Sequence, residues 1–550
     1  MPIIRKEHFE RAAADIGEHG DNDTLPFDVD TAFISVKGQE VAATAYALFD
    51  QLIRDGDDNN RKKLDALTVF NERLLTPTGN VGFRVTTKIH PFWNVYLNGL
   101  GNGIAEALED KRSDRVQSYR YLKDAGRELF DRTFSWKAFR EVTVAEASAA
   151  TAIAPDTMIV QTDISSFYER ISHHHLQNLI NDLCQGDRKI GNQIVALLHQ
   201  FSAGRSFGLP VGGQSSRILA ELFLNAADHQ LTSAGIVWFR YVDDYILVAN
   251  SNAEAYKALC TLSFTLADYG LALNKTKTII LTSKHYCDYV KTQLGGDDEE
   301  AGKLKEINLH FDPYSDTSIE DYESLRTTVE SLQVQKLLNR ELEKAVPDTF
   351  LVTQISRTLS LQEPATAKQL VTTLLSKGNL HAFRASWSTI MRGIAKVRAT
   401  PEFEGIGETL DVLLDFVPAH SAHLLQSETN LLHYLRTLRF RQTASRSKFV
   451  HSVYEAAESE TVKRACIVCW RDWGDRTKFN YLRNRWNQLS PECQRLVWLM
   501  SYSFGDEGSG FRRQLNLNID NSWSLGIEKQ GVVSYSTLYR TCCDDQNPST

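Results

Sequence analysis

Cysteine and long apolar runs are scarce in this chain of 550 residues, and so is an excess of positive charge. Eight cysteines spread over that length exclude the dense disulfide framework of a small secreted fold. Cys466 and Cys469 form one CxxC inside "VKRACIVCWRDW", but no second CxxC or HxxxH completes a tetrahedral zinc site, so both read as core residues of a helix. No apolar run reaches membrane-spanning length, and "MPIIRKEHFERAAADIGEHG" is charged from Arg5 onward, without the apolar core of a signal peptide. A cytoplasmic location and no membrane partner are therefore expected. The formal net charge of −8 argues against a surface coated all over with nucleic acid.

What the chain does have is an ordinary globular composition, 42% hydrophobic and 24% charged, and length enough for roughly two to four domains. Positive charge is local. Residues 81–140 hold 11 Lys and Arg against 7 Asp and Glu, and residues 436–486 hold 12 against 5. Residues 1–80 read as an acidic, mostly helical amino-terminal segment broken at "EHGDNDTLP" and "RDGDDNN", and 81–157 as a basic segment. From residue 158 to 294 the pattern is mixed. "DTMIVQTDI", "IVWFRY", "YILVAN" and "KTIILT" are strand candidates, separated by helical spacing over 173–186, over "SSRILAELFLNAADHQLTSAG" with Ser215 as cap and Gly235 as stop, and over "AEAYKALCTLSFTLADYG". This β-α-β-β-α-β order is the split βαβ, ferredoxin-like plan, so the fold class is α+β. "GGDDEEAGKLKE" then reads as an exposed connection. Residues 295–515 show helical spacing throughout, as a HEAT-like array with degenerate repeats, and 516–550 read as a polar tail.

Within "FRYVDDYILV" two adjacent aspartates stand where a hairpin turns. Aspartate is common in solvated turns, and in an isolated VDD that explanation suffices. Here the plan brings the strand carrying Asp163 beside the VDD hairpin, so that Asp163 is expected to face Asp243. Carboxylates drawn together from distant parts of a chain repel, a cost offset when hard divalent cations sit among them. Such a site can activate an attacking 3′-hydroxyl and stabilise a leaving pyrophosphate.

"QTDISSFY", "GLPVGGQSSRILAELFL", "YVDD" and "LALNKTK" resemble, in order and spacing, the four palm motifs of reverse transcriptases. The resemblance implies a right-hand polymerase fold, with fingers at 81–157, a palm at 158–294 and a thumb-like and helical part beyond. It also implies incorporation of dNTPs with two Mg²⁺ ions, for which Mn²⁺ can substitute. Asp163 and Asp243 become metal ligands, joined by Asp244 and the Ile164 carbonyl, and Lys277 becomes the acid that protonates pyrophosphate. Tyr168 matches the ring that excludes a 2′-hydroxyl. Gly212 and Gln214 fall at the nascent base pair, Tyr241 at the primer end, and Arg84, Lys88 and Arg120 are candidates to hold the triphosphate. Val211 and Arg217 replace the glutamine and proline found in many relatives.

"FSWKAF", "FYERISHHHL", "LPVGGQSSRILAEL" and "INLHFDPYSDTSIEDYESL", followed by helical repeats, resemble the bacterial defence-associated, abortive-infection (AbiK-like) reverse transcriptases. That kinship implies an antiphage role and an RNA template, a dedicated non-coding RNA or untemplated synthesis. It further implies a DNA product, priming from a protein hydroxyl for which Tyr535 and Tyr539 are candidates, and a homo-oligomer or a second defence protein as partner. In "WRDWGDRTKFNYLRNRW", Arg471, Arg476, Lys478, Arg483 and Arg485 interleave with aromatics. They are read either as a single-strand track or as buried tryptophan packing. Two alternative functions stay open. One is a HEPN-like ribonuclease, from the Rx4H spacing of Arg446 and His451, and the other an RNA-binding module on a polymerase scaffold. His173–His175 reads as a solvated helix start.

Overall fold

A computed structural model of the protein describes residues 3–547 apart from 55–61, 65–66, 68, 80–81, 124–127, 295–298, 308–317, 516–518 and 528–532. Among the described residues six strands form two sheets. Strands β1 (Asn71–Thr78) and β2 (Gly82–Ile89) pair as an isolated antiparallel hairpin. Strands β3 (Met158–Asp163), β4 (Val237–Tyr241), β5 (Asp244–Ala249) and β6 (Ile279–Thr282) form an antiparallel sheet in the order β4-β5-β3-β6. This is the expected split βαβ plan, and each strand starts and ends within two residues of its predicted limits.

Alternation along the strands sends side chains to two cores. Val160, Tyr245 and Leu247 join the main core, with the helices Gln214–Ser233 and Asn252–Asp268 packed on that face. Ile159, Ile246 and Val248 point the other way, under the helices Trp136–Ile153 and Ser283–Leu294. Helix Trp136–Ile153, expected in the fingers, thus covers the palm sheet. Ser215 is not the cap of its helix, which begins at Gln214 after Gly213, whereas Gly235 follows its end with φ 71°.

The expected boundary at residue 80 lies between β1 and β2, which pair with each other across it. Part of "RDGDDNN", the first four residues of the 295–306 connection and 308–317 of "INLHFDPYSDTSIEDYESL" lie outside the described residues. Glu299–Glu306 is helical.

The helical half stacks in series. Helix Thr349–Arg357 packs on Trp387–Ala399, that on Glu428–Leu438, that on Glu460–Asp472, and that on Pro491–Met500. It does not stand apart from the rest of the chain. Ser427 Oγ donates to the Leu75 carbonyl at 2.7 Å, Glu428 accepts from the Leu75 amide at 3.1 Å, and Thr429 bonds Thr76 at 2.8 Å, so side chains cover the open edge of β1. Glu72 accepts from the amides of Glu460 and Thr461 at 3.0 and 2.8 Å, at the start of the next helix. The expected polar tail is instead the helix Tyr535–Gln546 packed on helix Val29–Arg54, with the Phe33 and Tyr535 rings 5.5 Å apart.

Lys88 is a keystone of this closure rather than a triphosphate ligand. Its ammonium is buried and lies 2.5, 2.9 and 3.3 Å from Asp21, Asp28 and Asp30, while Arg464 reaches Asp30 at 2.7 Å. Burial works against the charge, but the three carboxylates hold the lysine well above its usual range. A charge so desolvated and so fully paired has no free donor to offer a nucleotide. Among the described residues no helix is long and apolar enough to cross a membrane.

Candidate active site

The β4–β5 turn consists of Val242 and Asp243, between the paired residues Tyr241 and Asp244. A two-residue hairpin with positive φ at its first turn position has the sign pattern of a II′ turn, where glycine is the favoured residue. Here that residue is Val242, at φ 56°, in a region that β-branched side chains avoid. Such strain costs on the order of 1–3 kcal/mol and persists only where the surroundings over-determine it. They do so here. Arg240 Nη1 donates to the Val242 carbonyl at 2.9 Å, and Ser118 Oγ accepts from the Val242 amide at 3.0 Å.

Behind the turn lies a buried network. Arg240 meets Asp228 at 2.7 Å and Glu221 at 2.9 Å, Arg112 meets Glu221 at 2.8 Å, and Ser118 Oγ donates to Glu221 at 2.7 Å. Tyr245 Oη donates to Asp228 at 2.9 Å. Two guanidinium groups balance two carboxylates. Burial alone raises Glu221, yet Arg240 and Arg112 hold it below the usual carboxylate range. The adjacent carboxylates are thus presented from a clamped turn, not from a solvated one.

Asp163 ends β3 and pairs in register with Asp244, not with Asp243 as expected. Asp243 sits one step out on the turn, and its carbonyl accepts from the Ile164 amide at 3.2 Å. "LALNKTK" closes the opposite side, where the Asn274 amide donates to the Asp163 carbonyl at 2.8 Å and Ile164 bridges Leu273. The Lys277 ammonium bonds Asp163 Oδ2. Asp163 is 6% exposed, and its Oδ1 is buried without a hydrogen-bond partner. Burial, then Asp244 and Asp163, push the Asp243 carboxyl up to about 7, and burial with Asp163 raises Asp244. The contact with Asp163 raises Lys277 and keeps it an ammonium. Among the described residues no three His, Cys, Asp or Glu side chains already form an ion cage. Their chemistry nevertheless fits a divalent cation: hard oxygens, an orphaned buried acceptor on Asp163, and crowded carboxylates short of positive charge.

Beside the turn opens a cavity of about 410 Å³ lined by Tyr241, Gly212, Gln214, Arg217, Tyr119 and Asp23. Gly212 has φ 114°, and a Cβ there would meet the Asn22 side chain at 2.2 Å. Asn22 donates to the carbonyls of Thr87 and Val211 at 3.1 and 3.3 Å, joining the fingers hairpin to the second motif. His173 is buried rather than solvated, and its ring bonds the Gly208 carbonyl at 2.7 Å. Tyr168 is half-buried, and burial holds its phenol well above the usual range in the field of Tyr119, Arg217 and Asp243.

Arg217 and the Asp21–Asp23 loop were missed as cavity residues. Arg217 pairs with Asp23 at 2.7 Å, donates to Gln214 at 2.8 Å and lies over the Tyr119 ring. Only the unusual arginine after Ser216 hinted at this.

Other expected residues do not converge on the cavity. Arg120 is spent on Glu109 at 2.5 Å and the Ser113 carbonyl at 2.8 Å, and Arg84 stands on β2 opposite Thr76. Arg471 pairs with Asp472, and Arg476 and Arg483 pair with Glu507. Lys478 and Arg485 lie over Tyr481, with Lys478 also over Trp470. Trp470, Phe479 and Trp486 are buried, so three of the five rings of that segment cannot receive bases. Packing, not a strand track, explains the interleaving. Arg446 is buried against Asp415 at 2.5 Å and Asp411 at 3.1 Å, which makes it structural and leaves Rx4H without its arginine. Tyr535 and Tyr539 are buried, and Tyr539 Oη donates to the Arg495 carbonyl at 3.1 Å, so neither presents a priming hydroxyl. Cys466 and Cys469 are buried core thiols, as expected.

Residues 104–294 match the family described as reverse transcriptase (RNA-dependent DNA polymerase). No curated protein matches the chain. Among solved structures it is similar to telomerase from Candida albicans in complex with a TWJ fragment of telomeric RNA. Identity there is 13%, over 64% of this chain and 65% of that one, with a TM-score of 0.32. Apo telomerase from Candida tropicalis is 11% identical over 71% of this chain and 74% of that one, with a TM-score of 0.31. The chain thus spans just under two thirds of the length of the first.

Proposed function

Since residues 104–294 carry a reverse transcriptase domain, we propose that the protein is an RNA-directed DNA polymerase that adds dNTPs to a 3′-hydroxyl and acts in antiphage defence. The observation that carries the polymerase reading is the register of Asp163 against Asp244, with Asp243 presented beside them on a clamped turn. Asp163 and Asp243, with Asp244 and the Ile164 carbonyl, are the residues that would hold Mg²⁺. When bound, two such ions activate the attacking hydroxyl and neutralise the leaving pyrophosphate.

The chain's own residues do the rest. The clamped turn fixes the carboxylates before substrate arrives, so little reorganisation is needed at the moment of reaction. Gly212 lets backbone approach the cavity, and Tyr168 places an aromatic ring near Asp243, where a 2′-hydroxyl would have to fit. Tyr241 lines the cavity beside the turn and orients the primer end. Lys277 is held protonated by Asp163, as an acid must be, and it has to leave Asp163 Oδ2 before giving its proton to pyrophosphate.

The defence role rests on the resemblance to AbiK-like enzymes and on the serial helices after the palm, which we read as a degenerate HEAT-like array. In that role the template is RNA, a dedicated RNA or none, and the start is a protein hydroxyl other than Tyr535 or Tyr539. Nuclease-treated protein given labelled dNTPs and Mg²⁺, with and without primed RNA, tests this. DNA whose gel mobility shifts on proteolysis supports protein-primed synthesis. Faithful copying of any primed RNA, without a protein-linked product, marks a general reverse transcriptase instead.

A further inference from the structure

The helical half carries cations that its own fold does not use. Arg392 and Lys396, four residues apart on helix Trp387–Ala399, share one face of that helix. Arg436 stands on the adjacent helix Glu428–Leu438, which Trp387 Nε1 ties down through the Asn430 carbonyl at 3.0 Å. Arg357 ends the helix on the other side. Among the described residues Arg392, Lys396 and Arg436 have no ion-pair partner. This contrasts with Arg398 on the same helix, which is paired with Asp411 at 3.1 Å. Arg392 and Lys396 are exposed, and neighbouring protein atoms, with Arg357 beside Arg392, pull both below their usual ranges. Burial, then Arg439 and Arg392, pull Arg436 down to about 10. Like charges gathered without counter-charge are costly, and an incoming polyanion relieves that cost.

The group lies next to the polymerase cavity. His433, one turn before Arg436, bonds the Thr24 carbonyl at 2.8 Å, and the neighbouring Asp23 lines the cavity and lies in the field of Arg392. Between them stands Phe27. Its ring is 43% exposed, lies beside Gly20 of the cavity, and lines a small pocket together with Arg436 and Arg439. Cations that follow phosphates beside an exposed ring that can accept a base suit a single strand. A duplex stacks its bases internally and has none to offer Phe27.

We propose that Arg392, Lys396 and Arg436, with the Phe27 ring, form a track that holds the phosphate backbone of a single-stranded nucleic acid leading to or from the polymerase cavity. The track rests on the polymerase reading for its purpose, but binding can be measured without catalysis.

The probe is fluorescein-labelled dT20, titrated with the full-length protein across a series of salt concentrations and followed by anisotropy. Each phosphate contact on a single strand contributes a slope of about 0.7 in log Kd against log salt. Arg392→Ala, Lys396→Ala and Arg436→Ala together should therefore flatten the slope by about 2. Phe27→Ala should weaken binding on the order of tenfold with little change of slope. Arg392→Lys with Arg436→Lys keeps the charges and should keep the slope, which separates lost contacts from a damaged fold. Unchanged slope and affinity in the triple alanine variant overturn the proposal, whatever the polymerase activity proves to be. So does equal binding of a poly-glutamate peptide of the same charge, which would mark the track as a site for acidic protein.

Discussion

Asp243→Asn should stabilise the metal-free protein. The carboxyl titrates at about 7 in the fold, against 3.8 for an ordinary aspartate, because burial and the charges of Asp244 and Asp163 oppose its ionisation. The fold therefore binds a proton here that the unfolded chain releases, so stability falls as pH rises from about 4 to about 7 and is level above that. A carboxyl perturbed this far costs the fold about 4 kcal/mol at pH 7.5, and sharing of the repulsion among three carboxylates brings this to about 2 kcal/mol. Asparagine keeps the shape and removes the charge. In EDTA at pH 7.5 the variant should unfold at a higher denaturant concentration than wild type. Its advantage should fall by more than half at pH 5 and vanish near pH 4. Added Mg²⁺ should stabilise wild type and leave the variant nearly unmoved. A destabilised variant at pH 7.5, or an effect that does not change between pH 5 and pH 7.5, would refute the reasoning.

Three further outcomes follow from the geometry. Tyr168→Ala should raise ribonucleotide use relative to deoxynucleotide use in competition assays, and an unchanged ratio with activity retained would remove Tyr168 as the gate. Arg240→Ala leaves Asp228 and Glu221 buried without that guanidinium, so it should cost about 3–5 kcal/mol in denaturant unfolding and relax the Val242 turn, lowering incorporation in the fraction that folds. Arg446→Ala should lower stability by a similar amount, while His451→Ala, at a half-buried position whose only ion-pair contact among the described residues is Glu455 at 3.8 Å, should change stability by no more than about 1 kcal/mol and leave phage protection unchanged. Loss of protection in His451→Ala with polymerisation intact would return the ribonuclease reading.

The palm was legible because its strands alternate cleanly and its chemistry is concentrated in short motifs. The β1–β2 hairpin was missed although "NERLLTPT" and "GFRVTTKI" are rich in β-branched residues and flank a Gly-Asn pair in the sequence, since the acidic residues before them drew the segment into a helical reading. Lys88 and Arg120 show a different limit. Charge alone does not distinguish a cation aimed at substrate from one neutralised by carboxylates, and the partners of Lys88 lie 58 to 67 residues away. Tyr535 and Tyr539 looked exposed in a polar tail because their burial depends on helices at the opposite end of the chain. Arg217 stood out only as a departure from a motif. Its pairing with Asp23 depends on a loop nearly two hundred residues distant that no local pattern connects to it.

The central claim is that Asp163, Asp243 and Asp244 make a nucleotidyl-transfer site. Purified wild-type, Asp163→Asn and Asp243→Asn proteins, matched by circular dichroism, should be given labelled dNTPs with Mg²⁺ and, in parallel, primed RNA. Wild type should incorporate label while both variants remain folded and incorporate none. Incorporation by either variant at the wild-type rate would contradict the account.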